Sequence, residues 1–273
     1  MSEPPVPPIP PPPPAYLPPP SGSPPGAATV RVGDWLNEAW RIIQQNWLEY
    51  VLAVLVAELV ILAGIFACLL PGILLAGPML GGVHIYLAKR LLGLPAEVGD
   101  VFKGFRRFGA TLVLGVTLAL PPFLMAALFV IPHIVARIGA EQGGPLSGVA
   151  ETIAGISGCI TCVGLPLFLL VYPILVGTFL IFALPLILFR QMDAFAAIRQ
   201  SIEIVKPQLT NFLLLLLVHV LILWAASFAG GFLICVGTLF LTPLATSLVY
   251  TMQLLAYRDY VGLTAADLAP YVD

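Results

Sequence analysis

From Trp47 onward, long apolar runs of similar length alternate with short polar clusters. A helix needs about 20 mostly apolar residues to cross a bilayer. The pattern predicts six such spans, at residues 48–70, 72–92, 110–136, 164–189, 208–229 and 231–256. Pro71–Gly72 and Gly230–Gly231 read as tight turns inside the first and last pairs. Pro121–Pro122 and Pro132 predict a kink or break in the third span, because proline removes a helix donor and crowds the preceding turn. Residues 137–163 are small and weakly polar, with Glu141, Gly143, Gly144, Pro145 and Glu151. They predict an outer loop with a short membrane-touching helix, or a partial seventh span.

Three polar-faced segments precede pairs of spans. They begin at Asp34 (DWLNEAWR), Asp100 (DVFKGFRR) and Asp193 (DAFAAIRQ), and in each the aspartate is suited to cap a helix N-terminus. Leu36, Trp40, Ile43 and Trp47 fall on one helical face in the first. Val101, Phe105 and Phe108 do so in the second, and Ala194, Ile198, Ile202 and Val205 in the third. Such helices lie in the headgroup plane, apolar side inward. The chain therefore reads as three copies of an interfacial helix followed by a membrane hairpin.

Composition excludes a soluble enzyme. Of 273 residues, 59% are hydrophobic and 10% charged, against about 25% charged in soluble domains; mean hydropathy is +1.01. A net charge of −2 leaves no basic footprint for nucleic acid. With six spans and the N-terminus inside, eleven of the twelve Lys and Arg residues fall on one side, and only Arg137 on the other. The positive-inside rule then places both termini in the cytoplasm of a multi-pass cell (inner) membrane protein. Fourteen of the 27 prolines lie in residues 1–25, so residues 1–29 read as an extended, disordered cytoplasmic tail. The tail lacks the basic and apolar regions of a signal peptide. It reads as a solvated segment or as a ligand for a partner domain that binds PxxP motifs. Residues 30–262 form the membrane domain and 263–273 a cytoplasmic C-terminal tail.

Ionisable groups inside spans mark the candidate chemistry. Glu58, His84 and His219 fall at similar depth in the first, second and fifth spans. They read either as a proton or cation relay or as hydrogen-bonding groups that hold helices together, and the second asks less of so few residues. His133 sits near the outer interface. Lys103, Arg106 and Arg107 form a basic cluster suited to anionic headgroups. Cys68, Cys159, Cys162 and Cys235 share the outer side. They permit a redox CxxC pair, disulfides, or simply small buried residues, the last being the default. No GxSxG, HExxH or P-loop signature occurs, and no cofactor or metal is expected. Gly81–Gly82 and Ser157–Gly158 read as points of close helix approach.

Four stretches carry a family resemblance: VGDVFKGF (98–105), AIRQSIEIVK (197–206), CVGTLFLTPL (235–244) and AYRDY (256–260). Across about residues 30–262 the chain resembles uncharacterised bacterial polytopic membrane families, including the membrane domain found beside some glycerophosphodiester phosphodiesterases. The resemblance implies fold and location and carries over no catalytic residue. The sequence thus predicts an all-α transmembrane bundle without a catalytic site. Its expected role is to organise lipid or recruit a partner, the alternative being a small transporter or channel with an intramembrane Glu/His pathway.

Overall fold

The computed structural model describes residues 31–67, 69–141, 147–232 and 236–272. Among these residues the chain is all-α. The helices are α1 (Val32–Gln45), α2 (Trp47–Ala67), α3 (Leu69–Leu91), α4 (Phe108–Glu141), α5 (Ser147–Leu180), α6 (Ala183–Phe189), α7 (Ala194–Val205), α8 (Leu209–Phe232) and α9 (Val236–Tyr260). Short 3₁₀ helices cover Val98–Arg107, Lys206–Gln208 and Ala265–Tyr271. Six helical runs are long and apolar enough to cross a membrane, so the chain is a polytopic helical bundle. A short polar-faced element followed by long apolar helices recurs three times in the element order. Helix α2 packs along α3, α4 along α5 and α8 along α9.

Two helices form the centre. Over their most apolar stretches, 67% of the α3 run and 56% of the α9 run are buried, against 6% of the run containing α4. Large apolar side chains on the outer helices, such as Phe66, Leu128, Trp224 and Phe232, face away from the protein. A water-soluble chain does not leave so much apolar surface open; a hydrocarbon environment makes it costless.

The tightest packing sits at one end, where Trp35, Tyr86, Phe182, Tyr257 and Tyr271 are fully buried. Basic side chains cross-link this end. Arg258 makes a forked contact with Glu38 at 2.9 and 3.3 Å, Trp35 donates to Asp259 at 2.8 Å, and Arg90 pairs with Glu49. Arg190 donates to the Val261 and Gly262 carbonyls at 3.0 and 3.1 Å.

Several boundaries differ from the sequence expectation. Pro71 and Gly72 lie inside α3 and Gly230 and Gly231 inside α8, while residues 68 and 233–235 lie outside the described residues. Helix α4 runs through Pro121, Pro122 and Pro132 without interruption, since a bundle re-satisfies the few backbone groups that proline frees. The described parts of 137–163, residues 137–141 and 147–163, are helical rather than loop, and residues 142–146 lie outside the described residues. Helix α4 continues to Glu141 and α5 begins at Ser147, so each has 34 residues and is about 50 Å long at 1.5 Å per residue. Gly158 keeps this hairpin closed by letting the His133 ring pack against it, 3.1 Å from where a Cβ would stand. The predicted fourth span instead divides at residues 181–182, between α5 and the buried helix α6.

Of the three aspartates, Asp193 is the cap expected of it, accepting from the Phe195 and Ala196 amides at 3.0 Å. Asp34 lies within the first turn of α1 and makes no cap bond. Asp100 is the third residue of a capping box whose N-cap is Glu97. The buried face of α1 is Trp35, Ala39 and Ile43, while Trp40 and Trp47 are exposed. Periodicity identifies apolar positions but not which of them face the protein: Ile43 is buried, Trp40 on the same helix is turned away, and Trp47 belongs to the next helix, α2. Val101 is buried in its segment, whereas Phe105 and Phe108 stack on each other at the surface. In α7, Ala194 and Val205 are buried, with Ile198 and Ile202 half-buried. Residues 265–271 are not a free tail. Asp267 accepts from the Thr264 amide at 2.9 Å to start a 3₁₀ turn, and Leu268 and Tyr271 are buried against the bundle.

Candidate intramembrane cavity and basic end

A partly enclosed cavity of about 490 Å³ lies between α3, α4, α5, α6, α8 and α9. The small residues Gly77, Gly115, Ala119 and Gly177 form part of its wall, and at Gly77 the missing side chain lets α3 approach the Thr111 backbone of α4. Aliphatic side chains make most of the remaining wall. Its polar groups are His84, Thr111, His219, Tyr250 and Gln253, and no charged side chain lines it among the described residues.

His84 and His219 are 135 positions apart in sequence, and the fold brings both to this cavity. The Nδ1 of His84 donates to the Leu80 carbonyl at 2.8 Å, and Nε2 faces Gln253 Oε1 at 3.4 Å. Gln253 is fixed because its amide nitrogen donates to the Ile181 carbonyl. The His84 ring also packs on Tyr250 at 4.6 Å between centroids. His219 is buried, and its Nε2 has no hydrogen-bond partner. Glu58 does not line the cavity: it accepts from Thr246 on α9 at 3.3 Å. The structure therefore joins two of the three predicted polar residues and leaves the third apart. Since Glu58→Gln retains an acceptor for Thr246, we expect it to change stability by less than about 1 kcal/mol; thermal unfolding of the purified protein checks this.

Tyr250, Gln253 and the small residues were not anticipated from sequence. Gln253 carried a usable signal, a lone amide inside an apolar span, where it must find a partner across helices.

At the packed end, Lys103, Arg106 and Arg107 are engaged by the protein itself. Lys103 Nζ donates to the Tyr271 carbonyl at 2.9 Å, Arg106 donates to the Pro270 carbonyl, and Arg107 donates to the Met192 carbonyl at 2.7 Å. Together they clamp the C-terminal 3₁₀ helix and the α6–α7 turn. Asp100 lies ahead of the apolar stretch of α4, with its side chain 5% exposed. Lys89 Nζ and Lys103 Nζ both lie 2.9 Å from its Oδ1, and its Oδ2 accepts from the Glu97 amide at 3.0 Å. Burial pushes the Asp100 carboxyl up, but the two ammoniums and the amide outweigh it and hold the group below its ordinary value. Burial pushes the Tyr271 hydroxyl up. The exposed cations of the polar-faced helices are different. Arg41 on α1, Arg199 on α7 and Lys206 beside it are exposed.

Cys159 and Cys162 are free and exposed on α5. The default reading as small buried residues fails for them, because the far end of the long hairpin has few neighbours to cover it. Cys68 and Cys235 lie outside the described residues, as does the proline-rich tail. Among the described residues no group of three His, Cys, Asp or Glu could hold a metal ion. No family model, curated protein or solved structure matches the chain.

Proposed function

We propose that this chain is a non-catalytic multi-pass protein of the cell membrane. Its basic end lies at the cytoplasmic leaflet, where it organises anionic lipid or presents a surface to a partner. The observation that carries the proposal is the arrangement around that end. Trp40, Phe102 and Phe195 are exposed on the short polar-faced elements and Trp47 at the start of α2, and Arg41, Arg199 and Lys206 are exposed on or next to the same elements. Outward-facing aromatic rings next to the ends of apolar spans fit the headgroup region, and each neighbouring cation adds about 1 kcal/mol of attraction to anionic lipid. The headgroup role moves accordingly from Lys103, Arg106 and Arg107, which serve the fold, to these three. The resemblance to bacterial polytopic families belongs to this proposal, as do the cytoplasmic termini that the distribution of basic residues supports.

The test is the lipid that co-purifies with the protein from a mixed anionic and zwitterionic membrane. Replacing Arg41, Arg199 and Lys206 together by glutamine is expected to lower the anionic preference at least about fivefold at low salt. An unchanged preference in a folded triple variant would remove the lipid part of the proposal. A second reading, a small carrier, is favoured by the convergence of His84 and His219 on one cavity, although the apolar lining and the separation of Glu58 do not make a polar path for ions.

A further inference from the structure

The cavity asks for an occupant of definite chemistry. Its volume, about 490 Å³, lies within the range of small-molecule sites, roughly 300–1,000 Å³. Close packing is the rule in protein interiors. The mostly aliphatic wall gives water few partners, so water is a poor filler over most of this volume. An apolar chain fills it without that cost.

The polar end sets the rest of the occupant. No Lys, Arg, Asp or Glu lines the cavity among the described residues, so a charged head would be buried there without a counter-ion. In the neutral His84 ring, Nδ1 carries the proton that goes to Leu80, leaving Nε2 as an acceptor that faces a second acceptor, Gln253 Oε1. Neither atom can satisfy the other; a hydroxyl placed against them donates to one and removes the mismatch between the two acceptors. His219 Nε2, buried and unpartnered, lines the same cavity. Leaving such a group unpaired costs about 1–3 kcal/mol, which a ligand hydroxyl recovers, since a hydroxyl both donates and accepts.

We propose that this cavity binds a neutral amphiphile with one apolar chain and a hydroxyl-bearing head, the chain lying along Gly77, Gly115 and Ala119 and the hydroxyl meeting His84, Gln253 and His219. This inference rests on the cavity alone and stands apart from the role proposed for the basic end. A phospholipid head is excluded by its charge, and a fatty acid for the same reason.

The experiment uses the full-length chain in zwitterionic vesicles and a long-chain fatty alcohol carrying a diazirine and an alkyne. Labelling is expected to saturate and to map to cavity-lining peptides of α3, α4 or α8. Unlabelled alcohol should compete about tenfold better than the matching fatty acid, the factor that about 1.4 kcal/mol represents. Ala119→Phe, which fills the cavity, should abolish labelling. His219→Leu, which keeps its volume, should lower labelling about fivefold and keeps the test decisive should the larger residue prevent folding. A parallel arm with monoacylglycerol distinguishes the two sources of a hydroxyl: stronger competition than by the alcohol assigns a glycerolipid, weaker competition a simple alcohol. Equal competition by alcohol and acid would overturn the proposal. So would unsaturable labelling spread over the outer helices, or wild-type labelling of folded Ala119→Phe or His219→Leu.

Discussion

Replacing Asp100 by alanine is expected to destabilise the protein by about 3–5 kcal/mol, the usual result of removing one partner of a buried ion pair. Lys89 Nζ and Lys103 Nζ share Asp100 Oδ1 at 2.9 Å, and the Lys89 and Asp100 side chains are each 5% exposed. Alanine would leave Lys89 buried with a charge and no acid, and would also free the Glu97 amide that Oδ2 accepts. The loss should appear as a fall of about 10 °C in the thermal midpoint. Lys89→Leu in the Asp100→Leu background should regain part of it, because an apolar pair carries no desolvation cost. A shift of 1 °C or less for Asp100→Ala would show that the two lysines do not rely on it.

The pH dependence has a definite sign. The Asp100 carboxyl is held below its ordinary value of 3.8. Its stabilisation is therefore fully present above that ordinary value and is lost only as pH falls through the lower folded value. Wild type should lose stability in that acid window more steeply than Asp100→Ala, which lacks the titrating group.

The spans were legible in the sequence because hydrocarbon imposes a length and a composition, and chain order imposes the hairpins. What hydropathy misplaced were the turns. Glycine and proline at 71–72 and 230–231 mark turns in water, yet within packed bundles they sit inside helices, and Gly158 does the same where His133 covers it. Counting residues put Glu58, His84 and His219 at one depth. Depth fixes height along a helix but not the direction of a side chain, which turns by about 100° per residue. His84 and His219 face the cavity and Glu58 faces Thr246. The Asp100 misreading has a local cause: Glu97, three residues earlier, takes the N-cap and leaves Asp100 to reach back, a reciprocal pattern equally consistent with the sequence. The pairing of Lys103 with Asp100 is local, but the clamping roles of Lys103, Arg106 and Arg107 were illegible because they depend on backbone carbonyls some 85 to 168 positions away.

Gly82→Ala is expected to have a comparable or larger effect through sterics. The Val98–Arg107 segment runs in the 3₁₀ form for ten residues, longer than such helices usually persist alone. It is held by lying directly on α3. A Cβ at Gly82 would overlap the Val101 carbonyl, and one at Gly104 would overlap the Pro78 carbonyl and the Gly82 amide nitrogen. Both obstacles are backbone, so no rotamer change relieves them, and the segment must lift. Overpacking commonly costs about 1–3 kcal/mol, and a backbone obstacle places this variant at the upper end or beyond. Gly109→Ala is the control: nothing lies within 4 Å of its added carbon, and helix propensity makes it neutral or stabilising by up to about 1 kcal/mol. Folded yield and thermal midpoint of the two variants should separate clearly, and equal stability would mean that the segment is not seated on α3. Lifting the segment also withdraws Asp100 from Lys89. The two large effects therefore share a cause, and Gly82→Ala combined with Asp100→Ala should cost less than the sum of the single changes, as expected for neighbouring sites in one contact.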